Sequence, residues 1–182
     1  MKIGLVPGAM KPYHAGHHYL TTQASLECDK VIILTSDKDR EDISGNSMVK
    51  CWTDIIIPLL PENILVEFHV SPIRATYEIM EALSYEQSGD EIYIYGGLED
   101  VKRFPQEKIS VNHPGIVVVN VAARDLGLYN RGKGDSPNVK GEWVREAMRN
   151  NDDERFAEFL PSFLKPLAKQ YLDTLKINEG RY

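Results

Sequence analysis

The stretch Pro7-Gly8-Ala9-Met10-Lys11-Pro12-Tyr13-His14-Ala15-Gly16-His17-His18-Tyr19-Leu20 limits the fold more than any other part of the chain. A short apolar run at 3–6 leads into a loop punctuated by Gly8 and Pro12, and the pattern turns helical from Ala15. A strand, a glycine loop and a helix start, in that order, aim backbone N–H groups and a helix dipole at an anion. His14 and His17 are three apart and fall on one side of the first helical turn. Imidazoles at that point donate hydrogen bonds to phosphate oxygens and stabilise charge that builds as a phosphate bond breaks. The stretch reads as the active site of a nucleotide-handling enzyme.

Beyond this stretch, strand-like and helix-like segments alternate. The uninterrupted apolar run at 31–34 has the character of a parallel strand buried on both faces, and 64–68, 92–95 and 116–119 also read as strands. Helical spacing covers 15–28, where Leu20, Ala24 and Cys28 recur, and 47–60, where Met48, Trp52, Ile55, Ile56 and Leu59 form a stripe. Asn46 or Ser47 is the expected cap of the second helix, and Pro58 its end. A third helix comes after Ser71-Pro72-Ile73-Arg74, with Ile79, Met80 and Leu83 inward. A short helix and then irregular chain around Pro105 and Pro114 are expected within 98–114. After a glycine-rich loop at 124–138, helices are expected from about residue 141, at 153–160 and at 162–176, with Asp152 and Ser162 as caps.

This alternation predicts an α/β fold, a Rossmann-like, doubly wound parallel sheet of five strands with C-terminal helices, as one domain over 1–182. Ligands of such sheets bind beyond the carboxyl ends of the strands. That rule gathers 8–17, the loop after Leu34, 71–74, 96–100 and 124–140 on one rim.

Composition narrows the partners. With a net charge of −6 over 182 residues, the chain advertises no basic face for nucleic acid. The local field of a pocket lined by Lys and Arg is a separate matter. Cys28 and Cys51 have neither metal-type nor redox spacing, which suggests buried free thiols in a reducing cytoplasm. No signal-peptide core and no run of membrane-spanning length is present, so a cytoplasmic protein with no membrane partner is expected.

His14-Ala15-Gly16-His17 resembles the His-x-Gly-His motif of the nucleotidyltransferase superfamily. That superfamily includes the nicotinamide-mononucleotide and phosphopantetheine adenylyltransferases and the glycerol-3-phosphate cytidylyltransferases. The longer pattern Gly-x-Phe-x-Pro-x-His-x-Gly-His-x-x-Leu fits at Gly8, Pro12, His14, Gly16, His17 and Leu20. Met10 stands where the family has an aromatic, and Lys11 where many members have Asp or Gln. A second signature, Ile/Val-Ser-Gly-Thr-x-Ile/Val-Arg, is matched at Val139, Gly141, Val144 and Arg145, with Lys140 in place of Ser and Glu142 in place of Thr. The resemblance implies strand order 3-2-1-4-5 and transfer of a nucleoside monophosphate, AMP before CMP, from an NTP to a phosphorylated small molecule. Nicotinamide mononucleotide is the first acceptor to consider.

Carried over residue by residue, the resemblance makes His14 and His17 catalytic, and Lys11, which departs from the family pattern, is read as a catalytic point charge near the triphosphate. Gly8, Ala9, Gly16, Gly97, Asp100, Lys140 and Arg145 become nucleotide-binding. Arg74 and Lys50 are candidates for the acceptor, and no protein metal ligand is expected because Mg²⁺ rides on the NTP phosphates. Bland readings stand beside these. Lys11, Arg74 and Lys50 are also ordinary solvated positions, Asp100 is also a helix cap, and Arg145 is also a surface ion-pair residue. His18 reads as structural or exposed. The altered second signature leaves a non-catalytic nucleotide-binding module as an alternative, and a carboxylate-activating ligase like pantothenate synthetase as another. Packing of the apolar 156–175 segment on its own sheet or on a second copy, as a homo-oligomer, is open.

Overall fold

The structure is a computed structural model that describes residues 1–86, 89–97, 99–121 and 139–176. Five parallel strands form one sheet: β1 (Lys2–Gly8), β2 (Lys30–Ser36), β3 (Ile64–His69), β4 (Glu91–Gly96) and β5 (Ile116–Asn120). Their order is β3-β2-β1-β4-β5, as the resemblance implied. The register aligns Leu5 with Ile32 and Ile94, Ile33 with Val66, and Ile94 with Val118, so the apolar runs lie side by side. At the carboxyl ends Gly8 pairs with Thr35, Ser36 with His69, and Gly96 with Asn120.

The helices are α1 (Ala15–Glu27), α2 (Gly45–Cys51), α3 (Pro72–Glu86), α4 (Gln106–Asn112), α5 (Gly141–Arg149), α6 (Asp153–Glu158) and α7 (Ala168–Lys176). The chain groups into two compact units. The first takes Met1–Ala9, Leu20–Ser36 and the chain from Pro61 through β5. The second takes Met10–Tyr19, Asp37–Leu60 and the chain from α5 onward. The core of the first is a cluster of Ile3, Leu5, Leu34, Ile94, Met80 and Phe104 with their neighbours. Burying one such side chain stabilises by about 1.5–3 kcal/mol, so the apolar runs account for the sheet.

In the second unit α2 packs on α7, and α5 and α6 pack together. Phe156, Leu160, Leu164, Leu172 and Leu175, from the apolar C-terminal segment, are buried within the chain itself.

Several local expectations are corrected. Helix α2 is capped by Ser44, whose Oγ accepts from Ser47 N at 3.0 Å, rather than by Asn46 or Ser47. The start moves because a Cβ on Gly45 would stand 1.7 Å from the Asp37 carbonyl oxygen. Glycine is the residue that fits that first turn. The helix expected over 47–60 changes form: a π-helical stretch, Trp52–Ile56, and a 3-10 turn, Ile57–Leu59, come after α2. Pro58 has no N–H to give to the residue four back, and the α-ladder cannot run through it. Pro105 precedes α4 instead of marking irregular chain. The last helix begins at Ala168, after a 3-10 turn that holds Pro166, so Ser162 is not its cap. Asp152 does cap α6, accepting from Arg155 N at 3.2 Å. The glycine-rich 124–138 segment lies outside the described residues, and no described helix is long and apolar enough to cross a membrane.

Candidate active site

The second unit contains the histidine pair. The His14 and His17 rings stack, with centroids 3.7 Å apart and planes 22° apart. Two backbone amides fix how each ring carries its proton. Gly16 N donates to His14 Nδ1 at 3.0 Å, and His14 N donates to His17 Nδ1 at 3.3 Å. An N–H can only donate, so both Nδ1 atoms are acceptors and the proton of each neutral ring sits on Nε2. Burial pushes both rings toward the neutral form, His17 down to about 3 with help from Arg145 and Arg40, and His14 well below its usual value with help from His17 and Arg145. The result is two parallel, neutral imidazoles with Nε2–H donors.

Gly16 makes this arrangement possible. A Cβ there would meet His14 Cε1 and the Val139 carbonyl oxygen, both at 2.9 Å. Tyr13 supports the pair from the other side. Its ring stacks on His17 at 5.8 Å and meets Trp52 at 4.8 Å with the planes tilted by 57°, its carbonyl accepts from Tyr171 Oη at 2.8 Å, and its hydroxyl is hydrogen-bonded to His18 Nδ1 at 2.9 Å. His18 thus has a structural contact, as its place in the sequence suggested.

Arg145 and Arg40 are the cations that act on the pair. Arg145, on α5, is buried; its Nε donates to Glu41 Oε2 at 2.9 Å and its Nη1 to the Lys11 carbonyl at 2.9 Å. The guanidinium is buried, while the Glu41 carboxylate that pairs with it is half exposed. The Lys11 side chain is also buried, and burial lowers its ammonium to about 8 against the opposing pull of Asp37. Helix α5 begins at Gly141, where a Cβ would stand 2.9 Å from Arg145 Nη1 and 3.8 Å from His14 Nε2. Lys140, in the N-cap position, makes no side-chain cap; it is exposed, with Nζ 5.6 Å from the Trp143 ring centroid. The start of a helix thus lies beside a histidine N–H donor and a guanidinium, which together attract an anion.

Other predicted residues have different surroundings. In the first unit Thr35 Oγ1 donates to the Ala9 carbonyl at 3.1 Å, which ties the loop after β1 to the end of β2. Gly97 comes after β4 with open space where a side chain would be. Asp100 opens a 3-10 turn as its first residue, Glu99 holds the N-cap position, and burial raises the Asp100 carboxyl. Arg74 is exposed on α3 and paired with Glu78 at 3.2 Å. Lys50 is exposed in the second unit and paired with Asp54 at 2.6 Å. Neither makes a described contact with the histidine pair.

Sequence reading passed over Arg40, Glu41 and Tyr13. Arg40 is close enough to disfavour charge on both His17 and Lys11. The signal for it was the position of a charged loop directly after β2. For Tyr13 it was an aromatic next to the first histidine.

Fold comparisons agree with this architecture. The fold is shared with the nicotinic acid mononucleotide adenylyltransferase of Plasmodium falciparum complexed with NaAD, at a TM-score of 0.61 and 15% identity over 97% of this chain and 96% of that one. It is shared too with the bifunctional NMN adenylyltransferase/ADP ribose pyrophosphatase of Francisella tularensis, at a TM-score of 0.59 and 14% identity over 98% of this chain and 53% of that one. In sequence, the chain is 24% identical over 178 residues to the phosphopantetheine adenylyltransferase of Borrelia turicatae (strain 91E135), covering 96% of this chain and 99% of the relative. No family model matches. These likenesses agree with a five-stranded, all-parallel Rossmann-like α/β fold of order β3-β2-β1-β4-β5.

Proposed function

We propose that the chain is a nucleotidyltransferase that moves AMP from ATP to a phosphorylated small molecule and releases pyrophosphate. The observation that carries this reading is the pair of stacked imidazoles, both fixed as Nε2–H donors, beside the buried Arg145 and the start of α5.

The reaction needs no protein nucleophile. A phosphate oxygen of the acceptor forms a bond to the α-phosphorus, the bond from that phosphorus to the bridging oxygen breaks, and pyrophosphate leaves with the electron pair. Charge builds on the leaving group and on the equatorial oxygens. His14 and His17 donate to those oxygens, Arg145 and the α5 amides hold the β- and γ-phosphates, and Lys11 adds charge while it is protonated. Arg40 is a further cation for phosphate. Among the described residues no cluster of three His, Cys, Asp or Glu side chains could hold a metal. Following the resemblance, we place Mg²⁺ on the nucleotide itself, as part of the substrate complex, where it would neutralise phosphate charge. The nucleotide roles of Gly8, Ala9, Gly16, Gly97, Asp100 and Lys140 rest on the resemblance, and the acceptor roles of Arg74 and Lys50 on the expectation that the second substrate lies on the other side of the switch point.

Pyrophosphate release tests the proposal, with several NTPs against nicotinamide mononucleotide, nicotinic acid mononucleotide and phosphopantetheine. Activity is expected with ATP and one acceptor, and His17→Ala should lower kcat by about 10²–10³, the cost of one such donor. Silence across the whole panel, or undiminished release by the folded His17→Ala protein, would refute it.

A further inference from the structure

A tight turn in the second unit has the geometry to fix Arg145. Arg40 N donates to the Ile43 carbonyl and Ile43 N to the Arg40 carbonyl, both at 2.9 Å, which leaves Glu41 and Asp42 at the tip. Glu41 has φ +47°, in the left-handed region where a glycine would sit without strain. A carboxylate is found there instead. Its Oε2 accepts from Arg145 Nε at 2.9 Å and lies 3.4 Å from Arg149 Nη1, and Asp42 Oδ2 lies 3.1 Å from the same Nη1. The tip acids therefore dock the turn onto α5.

We propose that Glu41 is a positioning residue for phosphate binding, holding the Arg145 guanidinium in a fixed plane beside the histidine pair. Two anchors define that plane, Glu41 on Nε and the Lys11 carbonyl on Nη1. Neither bond uses Nη2, so the far edge of the guanidinium can take an anion while Glu41 stays in place. The alternative role, a carboxylate that competes with phosphate for the same cation, fits less well because Glu41 engages one nitrogen only. Docking the turn also sets Arg40, whose charge is felt at His17 and Lys11. The identity of the anion as a nucleotide triphosphate rests on the nucleotidyltransferase reading; the positioning role does not.

The test uses the full chain and two readouts: calorimetric binding of inorganic triphosphate, and kcat and KM for ATP in pyrophosphate release. Glu41→Gln should weaken triphosphate binding about tenfold and raise the KM for ATP similarly, with a smaller change in kcat, the scale of one charge-assisted anchor. In an Arg145→Lys background, which lacks the planar fork, the same change should have no further effect. Glu41→Gly removes the carboxylate and relieves the backbone, so it should melt no lower than the parent and still bind weakly; weak binding is then not a loss of fold. Binding as tight as or tighter than the parent in Glu41→Gln overturns the proposal, and so does an undiminished effect in the Arg145→Lys background. A parent that does not bind triphosphate overturns it as well. A parent that binds triphosphate but releases no pyrophosphate refutes the enzymatic reading alone.

Discussion

Gly16→Ala sets two effects of opposite sign against each other. Gly16 is the second residue of α1, and alanine in a helix is favoured over glycine by up to about 1 kcal/mol. The new Cβ would stand 2.9 Å from the Val139 carbonyl oxygen and 2.9 Å from His14 Cε1. One neighbour is backbone, and the other is a ring held by its bond from Gly16 N and its stack on His17. Neither can swing aside as a flexible side chain would, so overpacking costs about 1–3 kcal/mol. The net loss of stability is about 0–2 kcal/mol, a fall in Tm of up to about 4–8 °C for a chain of this size. Activity should suffer far more. Shifting the His14 ring by a few tenths of an ångström misaims its Nε2–H, and misplacements on the ångström scale cost about 10²-fold. A thermal melt beside a pyrophosphate-release assay separates the two effects. Unchanged kcat in the folded variant would refute the claim that Gly16 serves the ring; a collapse of Tm without an activity defect per folded molecule would make it purely structural.

The remaining expectations are simpler. Lys11 is cationic below its value of about 8 and neutral above it, so kcat/KM for the free enzyme should fall as pH rises through about 8. Lys11→Arg should not show that limb, and the same limb in the variant would exclude Lys11 as its source. Gly45→Ala, with its Cβ 1.7 Å from the Asp37 carbonyl oxygen, cannot be accommodated without moving backbone, and urea unfolding should show a loss of about 3 kcal/mol or more. For His17 the folded value of about 3 lies below the ordinary 6.5, so between them the unfolded chain binds the extra proton. Its contribution is complete above about pH 6.5 and fades as pH falls toward about 3; the full difference corresponds to about 5 kcal/mol, and the partial exposure of the ring keeps the contribution below that. Denaturation at stepped pH should show a shallower acid limb in His17→Gln, and an identical limb would refute the assignment.

Much of the sheet was readable because its strands are short, largely apolar runs between turn residues, although the edge strands β3 and β5 leave Leu65 and Val117 exposed. The order of the strands was not, since pairing β1 with β4 joins segments almost ninety residues apart in a chain whose runs are interchangeable by composition. The histidines and Gly16 stood out through local spacing, because their contacts are made within three residues. Arg145 and Glu41 are 104 residues apart, and nothing in a loop reading Asp-Lys-Asp-Arg-Glu-Asp marks which acid faces inward. The π-helical stretch was hidden for another reason: the stripe of Met48, Trp52, Ile55 and Ile56 suits an α-helix, and the geometry imposed ahead of Pro58 overrides it.

Histidines among cations raise the question of what they offer a phosphate. His14 and His17, beside the buried Arg145 and within the field of the exposed Arg40, cannot both be charged at tolerable cost, and arginine does not give up its proton. The imidazoles are therefore the groups that become neutral, which matches the direction of both shifts. Neutral rings could still be useless if their protons sat on Nδ1, facing the backbone. The amides of Gly16 and His14 prevent that by demanding an acceptor there. The pair is then a fixed donor, working by hydrogen bonds and not by proton transfer. Nitrogen resonances of imidazole-labelled protein should report Nδ1 bare and Nε2 protonated in both rings, unchanged from about pH 8 to about pH 5. A protonated Nδ1, or a titration of either ring near its ordinary value of about 6.5, would mean that charge, and not tautomer, is what these histidines bring to the site.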